Sequence, residues 1–305
     1  MANFAVSFSS NKCYSHTMRS TSHTFYFKNR VFIFLLFLVL PSIALAHQPR
    51  IVNSSPTIVE NPQISKAYYD TLTGQPHTYI ITSATPFALY VNVLVPDIAG
   101  QEKDISAVIT KDGSTTPIAT LDGVTYEWKK FYEPFGGDTY WMGPEYKAPV
   151  QAGTYTVTVS SSKNNSEYSL AIGETEAFDL NETISAIHAI PLIKQDFFKE
   201  SPATFIFSVF GAAYLVILFI LAFVFGFLYR LALRLLIKNP TYAAKTNIGT
   251  QDRLIRVAIG VALLLWGITT NWNPLILFFA GFAFFEALFS WCAFNAAIGE
   301  NTCSD

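Results

Sequence analysis

Three sets of residues in this 305-residue chain have types and placement suited to chemistry. The first is histidine. Cleavage after Ala44-Leu45-Ala46 would make His47 the mature N-terminus, offering an amine and an imidazole to a metal. Imidazole suits copper, and His77 or His188 would supply a second ligand. The second set is Cys292 with Cys303, for which a regulatory disulfide, a persulfide carrier or a metal pair are the relevant chemistries. Two cysteines without a neighbouring His or Cys fall short of a zinc set. The third is the run from Trp128 to Tyr146, where Trp128, Tyr132 and Trp141 stand among interleaved acids. Such a run either folds back over a core or forms an aromatic surface for glycan or protein; its acids could also hold calcium. No Ser/His/Asp spacing, nucleophile elbow or phosphate loop accompanies these sets, and the expected function is not enzymatic.

Positioning these residues requires two kinds of structure. The composition is 51% hydrophobic and 14% charged, well below the charge content of about 25% usual in soluble proteins. Residues 31–46, an apolar run after Lys28 and Arg30 that ends in Ala-x-Ala, read as a secretory signal peptide, and a start at Met18 would give it a typical length. From His47 to about residue 177, segments alternate with period two. Phe87, Leu89, Val91, Val93 and Val95 share one face; Tyr155, Val157 and Val159 share another. Thr78–Thr82, Ile105–Thr110, Val124–Lys129 and Tyr168–Ile172 are further strand candidates, with Gly, Pro, Asn and Asp turns between them. This predicts an exported all-β domain, an antiparallel sandwich resembling a jelly roll. Its cysteine-free sequence excludes thiol catalysis and disulfides there, and its acidic balance argues against nucleic acid. Residues 178–202 read as a helical connector. Asn181 would cap a helix that Pro191 breaks, and Phe197 and Phe198 would dip into the membrane surface.

Thr204–Tyr229 has no formal charge over 26 residues, enough to span a bilayer, and a basic extension runs to about residue 239. Two shorter apolar runs follow, Leu254–Thr269 and Pro274–Trp291, joined by Thr270–Asn273 with an interfacial Trp272. Three transmembrane helices are therefore expected. Arg230, Arg234, Lys238, Lys245, Arg253 and Arg256 make the segment before the hairpin basic. This places it and the C-terminus in the cytoplasm and the β domain outside. Thiols on that side should be reduced. Asp252 is expected to cap a helix, and Arg253 and Arg256 to reach headgroups. Glu286, inside an apolar helix, should pair with Arg256 or Arg253.

Three resemblances add to this reading. Asn247-x-Gly249, Asp252-Arg253, Arg256, a short hairpin, Cys292 and Gly299-x-Asn301-Thr302-Cys303 resemble the YgaP-like inner-membrane transmembrane domain over residues 245–303. Ala293 departs from it, standing where that family commonly has Pro, as does Glu286. The resemblance implies a bacterial cytoplasmic membrane and makes Asn247, Gly249, Asp252, Arg253 and Arg256 an anchoring motif, with Cys292 and Cys303 at motif cysteine positions. The Ala152–Val159 and Glu167–Ile172 pair resembles the closing hairpin of secreted sandwich modules of the pre-peptidase C-terminal type. An N-terminal His47 is similar to the start of histidine-brace copper sandwiches. The expectation is a multi-pass inner-membrane protein that displays a sandwich for an unknown protein or glycan. The bilayer would be its partner, and its hairpin would mediate self-association. The alternatives are copper binding at His47 and His77, and sulfur handling at the cytoplasmic thiols.

Overall fold

The computed structural model describes residues 47–236 and 246–303. The signal segment, Cys13, Lys238, Pro240 and Lys245 lie outside the described residues. The chain divides into two compact units, Ser42–Ala212 and a second that includes Ala213–Asp305.

The first unit is a two-sheet β body. One sheet has β1 (Gln48–Ile51), β3 (Lys66–Thr71), β11 (Glu167–Ile172), β5 (Phe87–Pro96), β9 (Asp138–Val150) and β8 (Lys129–Glu133), in that spatial order. The other has β2 (Thr57–Val59), β4 (His77–Ser83), β10 (Gly153–Ser160), β6 (Ser106–Lys111) and β7 (Ala119–Leu121). The alternating residues behave as their period demands. Leu89, Val91, Val93 and Val95 meet Val157, Val159, Ile81 and Ile109 in one buried core between the sheets.

Two features depart from the expected antiparallel order. β1 pairs parallel with β3, and β2 parallel with β4. The chain alternates between sheets over its first four strands, so strands two apart share a sheet and a direction. Of the expected strand Val124–Lys129, residues 124–128 are turn and loop, and Lys129 alone is in a strand, as the start of β8. The Asp122 carboxylate accepts from Val124 N and the Thr125 hydroxyl, which closes the backbone on itself. The aromatic run is a hairpin, β8–β9, neither a covering loop nor a continuous shelf.

The connector also differs. One helix, α1 (Leu180–Asp196), runs through Pro191, capped by Asp179 in place of Asn181. Phe197 and Phe198 are buried against Leu94, Tyr140, Ala171 and Ile193 instead of facing a membrane. Period two explains this: Leu94 and Ala171 project from the outer face of the first sheet, and that apolar face needs cover. Lys194, itself buried, is held at 2.6 Å by Asp138. Burial pushes the Asp138 carboxyl up to about 6, against the opposing pull of Lys194. Burial also raises Glu133, whose carboxylate accepts from Phe135 N and Gly136 N.

Thr204–Phe207 is not yet the long helix. Pro202–Phe207 forms a 3-10 turn, and α2 is Val209–Leu236. The first turn of α2 is built into the β body. Phe210 stacks on Phe135 at 4.4 Å, and the Ser208 hydroxyl accepts from Gly211 N. Gly137, at φ +77°, brings the β8–β9 turn so close that a Cβ there would lie 3.0 Å from Ser208 Cβ.

In the second unit, α3 (Thr250–Thr269) and α4 (Pro274–Phe289) form a hairpin, followed by a short α5 (Ala293–Ile298). Asn273 caps α4 by accepting from Leu275 N and Ile276 N. Trp272 is fully buried. Phe223 and Phe227 of α2 pack on Phe285 of α4, and a Cβ on Gly226 would fall 2.4 Å from that ring. Among the described residues, α2 is the one helix long and apolar enough to cross a membrane by length and composition.

Candidate functional site

The membrane-side motif residues converge on the end of α4. Ser290 there adopts a left-handed conformation (φ +49°), and the chain turns back. Asn247 is buried and spans that turn. Its Nδ2 donates to Cys292 O at 3.0 Å, and its Oδ1 accepts from Cys292 N at 2.7 Å. Its backbone N–H donates to Ser290 O, and its carbonyl accepts from Thr302 N. Asparagine suits this place because one side chain supplies both a donor and an acceptor. Gly249 N donates to the Thr302 hydroxyl, which in turn donates to Asp252.

The charges are arranged inwards. Arg256 Nε donates to Glu286 Oε2 at 3.0 Å, and its Nη2 donates to Cys292 Sγ at 2.8 Å. The other Glu286 oxygen accepts from Ala293 N. Arg253 Nε donates to Ala287 O at 2.9 Å. The expected pairing of Glu286 with Arg256 is present. The N-cap of α3 is Gly249, without a side-chain bond, and the Asp252 carboxylate in the first turn accepts from the Thr302 hydroxyl. Arg253 and Arg256 engage the polypeptide, because the α4 turn exposes carbonyl and carboxylate groups that need donors. Cys292 is a free, buried thiol. Cys303 Sγ lies 3.9 Å from Thr246 O.

The β body holds a second polar constellation that the sequence reading missed. The Asp70 carboxylate is 5% exposed, and its Oδ2 accepts from His77 Nδ1 at 2.5 Å, Tyr79 OH at 2.9 Å and Tyr168 OH at 2.7 Å. Its Oδ1 accepts from Thr71 N. β3 and β11 belong to one sheet and β4 to the other, so this carboxylate ties the sheets together through the core. Burial raises both tyrosines, and the neighbouring carboxylate adds to the effect. The clue in the sequence was an acid next to the Ala-Tyr-Tyr run of Lys66-Ala-Tyr-Tyr-Asp-Thr71, where Asp70 is buried along with Lys66, Ala67 and Tyr68.

His47 and His77 are not brought together. His47 bonds Ser65 before β3, whereas His77 bonds Asp70 near its far end. Five residues of extended chain separate these anchors, roughly 17 Å. Burial lowers the His47 imidazole. His188 is exposed on α1. Among the described residues, no group of three or more His, Cys, Asp or Glu is placed to hold a metal. The structure therefore places His47 and His77 at separate points of the β body.

The aromatic residues separate as well. Trp128 packs on the core and donates to Gly123 O. Trp141 donates to Asp97 and lies under Lys103, 3.7 Å from the ring centre. Tyr132 is 57% exposed, with Phe131 beside it on the edge strand β8. A cavity of about 490 Å³ opens beside His77, between the segment after β1 and the C-terminal end of α1.

No curated protein matches the chain. The pre-peptidase C-terminal domain of collagenase from Bacillus anthracis aligns with 42% of this chain and 95% of its own, at 9% identity and a TM-score of 0.24. Residues 244–305, which carry the whole polar cluster around Asn247 and Cys292, match the family described as inner membrane protein YgaP-like, transmembrane domain; the chain carries a YgaP-like membrane domain behind a two-sheet β body.

Proposed function

We propose that this is a non-enzymatic, multi-pass protein of the bacterial inner membrane that displays its β body outside as a binding module. One observation carries the membrane half of this reading. The hairpin collects Asn247, Asp252, Arg253, Arg256 and Glu286 at one end, and between that end and the Asn273 turn it exposes Val257, Ile259, Val261, Leu265 and Phe279. A bilayer accepts such a surface because the backbone groups are satisfied within helices and the charges are paired. α3, at 20 residues, is roughly 30 Å long, and α4, at 16, roughly 24 Å. With α2 they make three spans. Arg230, Arg234, Arg253 and Arg256 favour the cytoplasm for the segment between α2 and α3.

Protease added to spheroplasts tests the topology. The β body should be digested while a C-terminal tag stays protected until lysis; the opposite pattern ends this reading. The binding role rests on Tyr132 and Phe131, which stand free on an edge strand where Trp128 and Trp141 are half-buried. Self-association through the hairpin is part of the proposal and is read from the detergent-solubilised mass.

One observation favours a second reading, sulfur handling. Arg256 Nη2 donates to the Cys292 sulfur at 2.8 Å, which sets a guanidinium against a buried free thiol. Replacing Cys292 and Cys303 by Ser should then reproduce the phenotype of a deletion; an unchanged phenotype removes this alternative.

A further inference from the structure

The Asp70 network reaches the surface through His77, and the cavity lies at that point. His77 is 15% exposed and lines the cavity. Its Nδ1 is committed to Asp70, and a carboxylate at that nitrogen fixes the proton there. The nitrogen left for a ligand is Nε2, an acceptor in this tautomer, which has no hydrogen-bond partner among the described residues. Asp70 itself is saturated by the two tyrosines and His77.

The lining also includes Asp196, exposed at the end of α1. Its carboxylate forms no ion pair among the described residues. The nearby Lys199 donates to the Asp196 backbone carbonyl and pairs with Glu167 at 2.9 Å instead. The lining adds the apolar Ile51, Leu192, Ile193 and Phe197 beside the uncharged polar residues Asn53, Ser54, Ser55, Thr71 and Thr73. The volume lies in the range of small-molecule sites, where an apolar wall with a few converging polar groups sets the preference. An acceptor nitrogen and an unpaired carboxylate together favour a ligand that donates and is positive; an anion would face Asp196 and the Asp70 charge behind the imidazole.

We propose that this cavity binds a small organic ammonium compound, its head between the Asp196 carboxylate and His77 Nε2 and its body on Ile51, Leu192 and Phe197. The inference goes beyond the binding-module reading: it names a separate site on the β body, which Tyr132 does not line, and a ligand class for it. It does not depend on the side of the membrane, so the protease result and the binding result can fail separately.

The test uses the full chain in detergent with three probes of similar shape: phenethylamine, phenethyl alcohol and 3-phenylpropionate. Binding is followed by saturation-transfer NMR and calorimetry. The amine should saturate where the alcohol and the carboxylate do not. Asp196→Asn, a surface change that leaves the core intact, should weaken the amine at least tenfold. His77→Gln should weaken it as well, with the β-sheet circular dichroism retained; Tyr132→Ala should leave it unchanged. Equal binding of the alcohol, preference for the carboxylate, no binding of the amine, or an Asp196→Asn protein that binds as well as the parent would each overturn the proposal.

Discussion

Two polar constellations hold this molecule together, and they are put together in different ways. In the β body, Asp70 gathers donors from Tyr79 and Tyr168, the latter 98 residues away. Those three residues share no local spacing; strand register alone brings them together. In the hairpin, Arg256 meets Glu286 and Cys292, which are 30 and 36 residues away, across two helices joined by a four-residue turn. There the geometry of a helical hairpin fixes which positions meet, so the partners recur at readable intervals. A short linear motif can therefore encode the second constellation and not the first.

The comparison can be broken by mutation. The largest effect should come from Asp70→Leu, which removes the shared acceptor of His77, Tyr79 and Tyr168 and leaves the two buried hydroxyls only each other; it should cost about 3–5 kcal/mol in urea denaturation followed by β-sheet circular dichroism. Arg256→Met, which leaves Glu286 unpaired, should cost about 2–3 kcal/mol on the helical signal, most of it restored by Glu286→Gln in the same chain. If Arg256→Met proves the costlier of the two, the sandwich network is not the more demanding one and the contrast fails. Asn247→Ala removes two bonds to the Cys292 backbone and should cost about 1–2 kcal/mol, at the upper end of polar contacts in membrane helices.

The next difference is one of pH. The folded Asp138 carboxyl sits near 6, above its unfolded value of 3.8. Between these values the folded chain holds a proton that the unfolded chain lacks, so this group adds stability as pH falls from about 6 towards 4. Asp138→Asn should flatten that slope for the β body and leave the hairpin unaffected. The smallest effect belongs to Tyr132→Ala, within about 0.5 kcal/mol, since an exposed edge residue contributes little to the fold.

How much was legible in the sequence follows from the same contrast. Period two identified β4, β5, β6, β10 and β11, because each buries one face. It did not identify β1, β2 or β7, which are three or four residues long and too short to show a period. β3 escaped because consecutive residues from Lys66 to Tyr68 are all buried, one face by the core and the other under cover. The same cover explains Phe197 and Phe198, whose aromatic pair reads equally well as a membrane contact. The motif Asn247, Gly249, Asp252, Arg253 and Arg256 was legible as a group, and Glu286 could be assigned a partner. The roles of Asp252 and Arg253 were not, because both depend on where Thr302 and Ala287 return in space. His77 was singled out as a metal ligand; its actual partner, Asp70, is visible only once β3 and β4 are placed.

Asn247 carries one further consequence, for the order of synthesis. Its side-chain partner Cys292 is made 45 residues later, and Thr302 later still. Arg256 and Arg253 likewise wait for Glu286 and Ala287, made 30 and 34 residues after them. The cluster therefore closes only on a chain that has been completed through the turn after Ser290.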